Sequence, residues 1–255
     1  MKSILVTLAL LLTGNILFAQ NAHFITSGTI NFERTVNVYG LIKDQMGKTP
    51  NDYDIKMFEE YKKTDPQFRK MQSTLMFDKN KTLFVPVPSE KIRLMYDDNP
   101  SATQSNTVYT DIAAGQSTTQ KEVYDEVFLV KDSTRKIKWK LTSETREIAG
   151  YTCRRANAII MDSVYVVAFY TDKIHVNGGP ETFTGLPGMI LGVALPHDNM
   201  TWFATKVTEA TGSPTDLIPP KKGKPVNNKQ LFDILKQVMK GWGPTALHEL
   251  KVFTM

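Results

Sequence analysis

The chain contains 255 residues, a single cysteine and a formal net charge of +5. A single cysteine excludes a disulfide bond within the chain, and it also excludes a zinc finger or zinc ribbon. A chain of this length can bury enough surface to fold without such cross-links. The basic residues are scattered and form no stripe with interleaved aromatic residues, so the composition excludes a typical nucleic-acid-binding protein.

The first 19 residues have the three parts of a secretory signal peptide. Lys2 supplies a positive charge, residues 4–12 form an apolar run, and Ala19 is a small residue at the expected cleavage position. The apolar run is too short to span a membrane, so we expect no transmembrane segment in the mature chain. The sequence therefore predicts export to the periplasm or the cell exterior after cleavage near Ala19.

Residues 20–210 are expected to form an antiparallel β half-barrel domain. Residues 29–40 alternate apolar and polar side chains with the period of two that is typical of a strand. Residues 73–87 contain two apolar runs around a polar turn at 78–81, which predicts a hairpin. Residues 121–174 predict a meander of short strands. Its turns are expected at residues 131–133, 149–150 and 161–163.

Two segments show the apolar spacing of an amphipathic helix. The first, residues 51–63 with Asp52 as N-cap, interrupts the sheet domain. The second, residues 227–241 with Asn228 as N-cap, follows a proline-rich linker, so residues 211–255 are predicted to be this linker and a C-terminal amphipathic helix. The expected apolar stripes are Tyr53, Met57, Phe58 and Tyr61 in the first helix, and Leu231, Ile234, Leu235 and Val238 in the second.

Together these elements predict a mainly β protein of the α+β type. The expected architecture is a curved antiparallel sheet or incomplete barrel with amphipathic helices on its concave face. Helices that fill the concave side incompletely would leave an apolar cavity between them and the sheet. The sequence shows no serine-nucleophile or paired-carboxylate motif, so it predicts no catalytic residue, although an enzyme of unknown class stays open.

Methionine and histidine side chains offer an alternative function, the binding of a soft metal. Thioether and imidazole groups suit copper, particularly in an exported protein. His197 and Met200 lie at the two ends of a predicted turn, and the candidate ligands are His197, Met200, His248, Cys153 and Met255. The alternative that stays open is structural: methionine commonly fills cores, and a lone cysteine commonly behaves as a small buried hydrophobe. The sequence identifies no cofactor.

Residues 178–193, GGPETFTGLPGMILGV, combine glycines and prolines with an unbroken apolar run. Because both residues are unfavourable inside regular elements, this segment predicts a shaped loop leading into a strand that is buried on both faces. Residues 185–191 (GLPGMIL) closely resemble the motif that names the GLPGLI family, with Met189 where that family usually has leucine. The resemblance is specific over residues 138–209 and looser over residues 24–130. It is also carried by Trp139, Leu141, Glu144, Thr145, Ile148, Gly150, Tyr151, Cys153 and Ala156.

The chain departs from the family pattern at Phe169, where tryptophan is usual, and at His175, where proline is expected. The resemblance implies an exported protein of a Gram-negative bacterium, from a family without an assigned activity, with a half-barrel similar to periplasmic lipoprotein carriers. We therefore expect a non-enzymatic binding or carrier-like protein with an apolar pocket, whose partner is a lipid, another apolar small molecule or a protein of the cell envelope. The expected lining residues are Phe183, Leu186, Met189, Trp202 and Trp139.

Overall fold

The computed structural model describes residues 24–88, 99–210 and 217–255, so the predicted signal peptide and its cleavage site lie outside the described residues. The strands are β1 (Ser27–Asn37), β2 (Phe68–Asp78), β3 (Lys81–Pro86), β4 (Asn106–Asp111), β5 (Gln116–Val123), β6 (Glu126–Ser133), β7 (Lys140–Ile148), β8 (Tyr151–Ile160), β9 (Val164–Thr171), β10 (Met189–Leu195), β11 (Met200–Glu209) and β12 (Lys224–Val226). The helices are α1 (Val38–Met46), α2 (Asp52–Thr64), α3 (Pro100–Thr103), α4 (Asn228–Val238) and α5 (Pro244–Thr254), with a 3₁₀ turn at Pro196–Asp198.

The strands of the described residues form one sheet in the order β12-β6-β5-β4-β3-β2-β1-β11-β10-β9-β8-β7. Two meanders and one added strand make up this order. β1 to β6 run outward from the centre, and β12 lies beyond β6 at that edge. β7 to β11 return from the other edge to the centre. β1 and β11 join the meanders, with Gly28 opposite Glu209 and Val36 opposite Met200. The pairs are antiparallel except that β12 runs parallel to β6. The predicted mainly β class and antiparallel sheet are confirmed.

The sheet curls toward its β7 edge. Arg146 of β7 lies over the rings of Phe203 on β11 and Phe169 on β9, with its guanidinium carbon 4.6 Å and 5.7 Å from the two ring centres. Gly192 of β10 permits this arrangement, because a Cβ at that position would lie 2.6 Å from Phe203 Cε1. Because Gly192 has no side chain, the Phe203 ring can lie directly over β10, and the β7 edge of the sheet bends over this ring.

Most of the core lies on the central and β7-side strands. Phe32, Leu75, Tyr170, Ile190 and Leu191 are at most 2% exposed and belong to one continuous apolar cluster. Burial of each such side chain contributes roughly 1.5–3 kcal/mol to folding. A second cluster packs α4 and α5 against β5 and β6, and it includes Phe128, Val130, Leu231, Leu235 and Phe253.

The strand predictions are correct in part. The hairpin within 73–87 and the turns at 149–150 and 161–163 are confirmed. The strand predicted over 29–40 ends at Asn37 instead, because the Asn37 side chain accepts a hydrogen bond from the Gly40 N–H and starts α1. Residues 131–133 belong to β6 rather than to a turn, and the turn before β6 lies at 124–125. The segment predicted to be a linker contains β12.

The first predicted helix exists as α2, but its cap and apolar stripe need correction. Asn51 rather than Asp52 caps the helix, since its side chain accepts a hydrogen bond from the Asp54 N–H. Tyr53 is 69% exposed and Met57 is also exposed, so the buried stripe reduces to Phe58 and Tyr61.

The second predicted helix exists as α4, with similar corrections. Asn227 rather than Asn228 is the N-cap, and Asn227 and Gln230 form a reciprocal capping box. Val238 is 56% exposed and ends the helix, so the buried stripe consists of Leu231 and Leu235.

The sequence prediction missed α5. This helix begins with Pro244 in its first turn, a position where the fixed φ of proline favours a helix. It packs against the concave side of the sheet, with Lys121 of β5 near its C-terminal end and Asp198 also in contact. In the part of the chain that the structure describes, no helix is long and apolar enough to cross a membrane.

Candidate binding sites

The glycine- and proline-rich segment, residues 176–188, folds back against the sheet. The Ile190 N–H donates a hydrogen bond to Gly178 O at 2.8 Å. Gly188 lies directly on the end of β9, where a Cβ would stand 2.1 Å from Thr171 O, and its φ of +136° is one that glycine adopts readily. All but one residue of β10 is buried, so the predicted shaped loop and doubly buried strand are confirmed.

Of the five predicted ligand-lining residues, four lie in the core. Leu186 and Met189 are 1% and 0% exposed, and Phe183 and Trp202 are 4% and 5% exposed. Trp139 is partly buried, and its Nε1–H donates to a backbone oxygen of the glycine- and proline-rich segment at 2.9 Å. Phe183 and Trp202 meet with ring centres 6.2 Å apart, beside a small cavity. The structure brings these two residues to a cavity and places Leu186 and Met189 in the apolar packing.

This interior cavity has a volume of about 30 Å³ and lies between β1, β11 and α5. Its polar wall consists of Arg34, Gln104, Asn106 and Glu181, together with Trp202. Its apolar wall consists of Phe183, Leu195, Met200, Val252 and Met255. The cavity therefore joins charged groups to an apolar surface, rather than being apolar throughout as the sequence suggested.

Arg34 is the central charged group of the polar wall and is only 5% exposed. Its Nη1 donates to Gln104 O, and its Nη2 donates to Ser101 O at 2.6 Å and to Met200 Sδ at 3.1 Å. The guanidinium lies over the Trp202 ring, 5.0 Å from its centre. Burial lowers the pKa of Arg34 to about 10, and the charge of Glu181 opposes this shift. Among the residues that the structure describes, Arg34 Nε and Trp202 Nε1 are buried without a hydrogen-bond partner.

Glu181 supplies the carboxylate of the same wall. Its Oε2 accepts a hydrogen bond from Asn106 Nδ2 at 3.0 Å, and Asn106 Oδ1 accepts one from Gln104 Nε2 at 2.9 Å. Burial raises the pKa of Glu181, while the Asn106 hydrogen bond and the positive charges of Arg34 and Lys121 act in the opposite direction. The φ of Glu181 is +52°, a left-handed conformation that an ordinary residue adopts only where its surroundings require it.

Two cations hold the C-terminal end of α5 on the sheet. Lys121 Nζ donates to Phe253 O at 2.6 Å, and Arg135 Nη2 donates to Thr254 O at 2.9 Å. Carbonyl oxygens at the end of a helix carry partial negative charge and lack partners within the helix, so these contacts satisfy them. Lys121 is 5% exposed, and burial lowers its pKa to about 8.

The residues predicted as soft-metal ligands lie in different surroundings. His248 Nε2 lies 2.9 Å from Ser101 Oγ, while the His197 ring lies beside Tyr165. Cys153 is a free thiol in the main core, and burial raises its pKa to about 12. Of the five predicted ligands, Met200 and Met255 line the same cavity, the interior one. Within 24–88, 99–210 and 217–255, no group of three histidine, cysteine, aspartate or glutamate residues could hold a metal ion.

Sequence reasoning missed the polar wall of the cavity, although one signal was present. In the alternating strand, Arg34 occupies the same face as Ile30, Phe32 and Val36, all of which are buried. A charged residue at an inward position of a strand indicates a buried charge that needs a partner. Nothing in the sequence pairs Arg34 with Glu181, which lies in an irregular segment far along the chain.

A second, larger pocket of about 330 Å³ lies on the surface beside the glycine- and proline-rich segment. Asp172, His175 and Asn177 line it with exposed side chains, and Pro187 and Gly188 complete its wall. The His175 ring also stacks on Phe24, with ring centres 3.8 Å apart and planes 22° apart. The segment thus separates the two sites: Glu181 and Phe183 face the interior cavity, and Pro187 and Gly188 face the surface pocket.

Comparison with protein families identifies the class of this curved sheet. The family model described as N-glycanase peptide, N-terminal domain (PNGase_F-II_N) matches residues 65–235. The match covers more than half of the chain, and the chain therefore belongs to this family. No curated protein matches the chain significantly. The resemblance to the GLPGLI family is not tested by this match and stays a prediction.

Two similar solved structures are those of PNGF-II. The structure in space group C2 has a TM-score of 0.51 at 15% sequence identity and covers 82% of this chain and 32% of that chain. The structure in space group P21 has a TM-score of 0.49 at 18% identity and covers 82% of this chain and 33% of that chain. The chain thus spans about a third of the length of PNGF-II, and at this identity the similarity concerns the fold.

Proposed function

We propose that this chain is an exported, non-enzymatic binding domain that recognises carbohydrate on glycosylated polypeptides. The observation that carries the proposal is the surface pocket lined by Asp172, His175 and Asn177. Its carboxylate, imidazole and amide groups supply both donors and acceptors, which is the chemistry that sugar hydroxyl groups require. The family supports the same ligand class, because it is named for the N-terminal domain of an N-glycanase.

The shape of the pocket also fits a saccharide. A volume of about 330 Å³ lies within the range of small-molecule sites. Phe24 is 40% exposed and stacks on His175, so an aromatic surface stands next to the polar groups. Gly188 keeps the pocket wall fixed against β9, because its close approach to Thr171 O leaves no room for a side chain. A rigid wall beside an exposed polar ring suits binding without a large rearrangement.

Titration calorimetry with a glycosylated peptide and the same peptide without its glycan tests the proposal. We expect the glycosylated peptide to bind more tightly, and Asp172→Ala or Asn177→Ala to weaken binding by about tenfold, because each change removes hydrogen bonds to the sugar. Lys173→Ala is the matched control, since this exposed residue lies in the same turn but does not line the pocket. Equal binding of the two peptides, or unchanged binding by both pocket variants, contradicts the proposal.

The other functions predicted from the sequence have different requirements. Binding of a lipid between sheet and helices requires α5 to move, because the interior cavity measures only about 30 Å³. Displacement of a fluorescent apolar probe by a lipid extract tests this prediction. Copper titration of the wild type and His197→Ala tests the soft-metal prediction, and an unchanged affinity in that variant would remove its proposed centre. An enzyme of unknown class and a cell-envelope protein partner stay open predictions.

A further inference from the structure

The interior cavity beneath α5 contains hydrogen-bonding groups that the protein leaves unused. Arg34 and Trp202 are each 5% exposed, and Arg34 Nε and Trp202 Nε1 have no partner among the described protein atoms. Both side chains line the cavity. Buried donors are nearly always paired in folded proteins, because an unpaired one gives up its hydrogen bonds to water without a replacement. Two such donors at one cavity therefore point to a bound group that accepts hydrogen bonds.

The charges of the wall select the kind of group. An anion would meet the carboxylate of Glu181, and a cation would meet the guanidinium of Arg34. A neutral hydroxyl group avoids both repulsions: its oxygen can accept from the two N–H donors, and its O–H can donate to Glu181. Asn106 holds the Glu181 carboxylate by a 3.0 Å hydrogen bond, so the acceptor is fixed in place.

The opposite wall indicates that this hydroxyl group is attached to carbon. Phe183, Leu195 and Val252 present apolar surface to the cavity, together with the methionines Met200 and Met255. Apolar surface favours a carbon skeleton over a cluster of water molecules. The volume of about 30 Å³ accommodates roughly two water-sized groups, so a larger skeleton enters only if α5 moves outward.

The attachment of α5 combines apolar and polar contacts. Leu250, Val252 and Phe253 are buried, so outward movement of the helix costs the burial of some of these side chains. The polar contacts are His248 to Ser101 at 2.9 Å, Lys251 to Asp198 at 3.2 Å, and the Lys121 and Arg135 contacts to backbone oxygens. These can be exchanged for hydrogen bonds to water when the helix moves. Asp198 Oδ2 is also buried without a partner in the described part of the chain, so the Asp198 side of the contact with Lys251 is incompletely satisfied.

We infer that the cavity between Arg34, Trp202 and Glu181 is a binding site for a hydroxyl group of a polyol or sugar, and that α5 is the cover that admits the ligand. The existence of the site does not depend on the surface pocket. The choice of a sugar as the natural ligand rests on the proposed carbohydrate-binding function.

Saturation-transfer NMR with glycerol and with glucose as probes tests the inference. We expect both probes to bind the wild type weakly and Trp202→Phe to weaken binding by about tenfold, because phenylalanine keeps an aromatic ring and removes the N–H donor. Trp242→Phe is the matched control, since Trp242 is 45% exposed and lies outside the cavity. We expect this control to bind as the wild type does.

Two further variants separate the inference from the proposed function. His248→Ala removes one contact of α5, and we expect faster hydrogen exchange in residues 244–254 together with faster ligand association. Asn177→Ala alters only the surface pocket, and we expect it to leave unchanged the part of the probe signal that Trp202→Phe removes. A signal that survives Trp202→Phe but disappears in Asn177→Ala would overturn the interior site while supporting the surface site. Absence of probe binding in both the wild type and His248→Ala would also overturn the inference.

Discussion

Two regions of the molecule are held together by different means. Around β10, Ile190, Leu191 and Val193 are completely buried among other apolar side chains. At α5, hydrogen bonds from Lys121 and Arg135 add to the apolar packing of the helix, and the cavity beneath it holds polar atoms that are unpaired among the described residues. The difference indicates that the side-chain packing of β10 is a permanent part of the core, whereas part of the attachment of α5 can be replaced, since apolar burial is lost on exposure and polar contacts can exchange with water.

The largest expected effect is in the apolar region. Leu191→Ala should lower the free energy of unfolding by about 2–5 kcal/mol, because it removes a fully buried side chain and leaves a cavity. Urea denaturation measures the change. Ile159→Ala is the control, since Ile159 is 65% exposed and its loss should change stability by less than about 0.5 kcal/mol. If Leu191→Ala lowered the free energy of unfolding as little as Ile159→Ala does, the claim that the region around β10 is held by apolar burial would be wrong.

Next in size is the effect at the Gly188 turn, which forms part of the wall of the surface pocket. Gly188→Ala should destabilise the protein by about 2–4 kcal/mol, because φ is +136° and the new Cβ would stand 2.1 Å from Thr171 O. Gly115→Ala is the matched control: its φ is +64°, but the nearest atom lies 3.9 Å from the new Cβ, so only the conformational cost of about 1 kcal/mol is expected. Equal thermal shifts in the two variants would show that the contact with β9 is unimportant.

The polar attachment of α5 should be visible in the pH dependence of stability. Burial lowers the pKa of Lys121 from 10.5 to about 8, so between these values the unfolded state binds more protons than the folded state. The contribution of Lys121 to the free energy of unfolding therefore rises with pH over this window, by at most about 3.5 kcal/mol.

Denaturation of the wild type and Lys121→Met between pH 7.5 and 10.5 measures this contribution. We expect the wild type to gain stability relative to the variant as pH rises, and the exposed Lys131→Met to follow the wild type. Parallel curves for the wild type and Lys121→Met would mean that the buried charge has no effect on folding.

The smallest effect concerns the start of α4. Asn227→Ala should destabilise the protein by about 1 kcal/mol, because the Asn227 side chain accepts a hydrogen bond from the Gln230 backbone N–H. The Gln230 side chain in turn accepts one from the Asn227 backbone N–H. The neighbouring Asn228→Ala should destabilise the protein less than Asn227→Ala does, since the Asn228 side chain does not cap the helix and bonds only the exposed end of β6 through Asp132. If Asn228→Ala proved the more harmful change, the assignment of the cap would be wrong.

The apolar region could be predicted from the sequence, and the polar one could not. Alternation identified β1, and the aliphatic run at 189–191 identified a doubly buried strand, because hydrophobic period and local turns determine these features. The caps of α2 and α4 were each placed one residue late, since both Asn51-Asp52 and Asn227-Asn228 offer two capping residues in succession.

The interior cavity depends on contacts between distant segments. Arg34 lies near Ser101 and Gln104, Glu181 near Asn106, and Lys121 near the end of α5. No local pattern specifies such pairs, and the segment that provides Glu181 has no regular secondary structure. Phe183 and Trp202, which were expected from the sequence to line a ligand pocket, both lie at this cavity, but the polarity of the cavity could be read only from the fold.

The pairing of β1 with β11 has a consequence for how the molecule assembles. Gly28 meets Glu209 at the middle of the sheet, so the seam between the two meanders closes only after nearly all of the strands have been made. Contacts between such remote parts of a chain form slowly, and until then β1 offers an open row of backbone groups to other molecules. We expect newly made protein to be most vulnerable to aggregation at this central seam, not at the outer edges of the finished sheet.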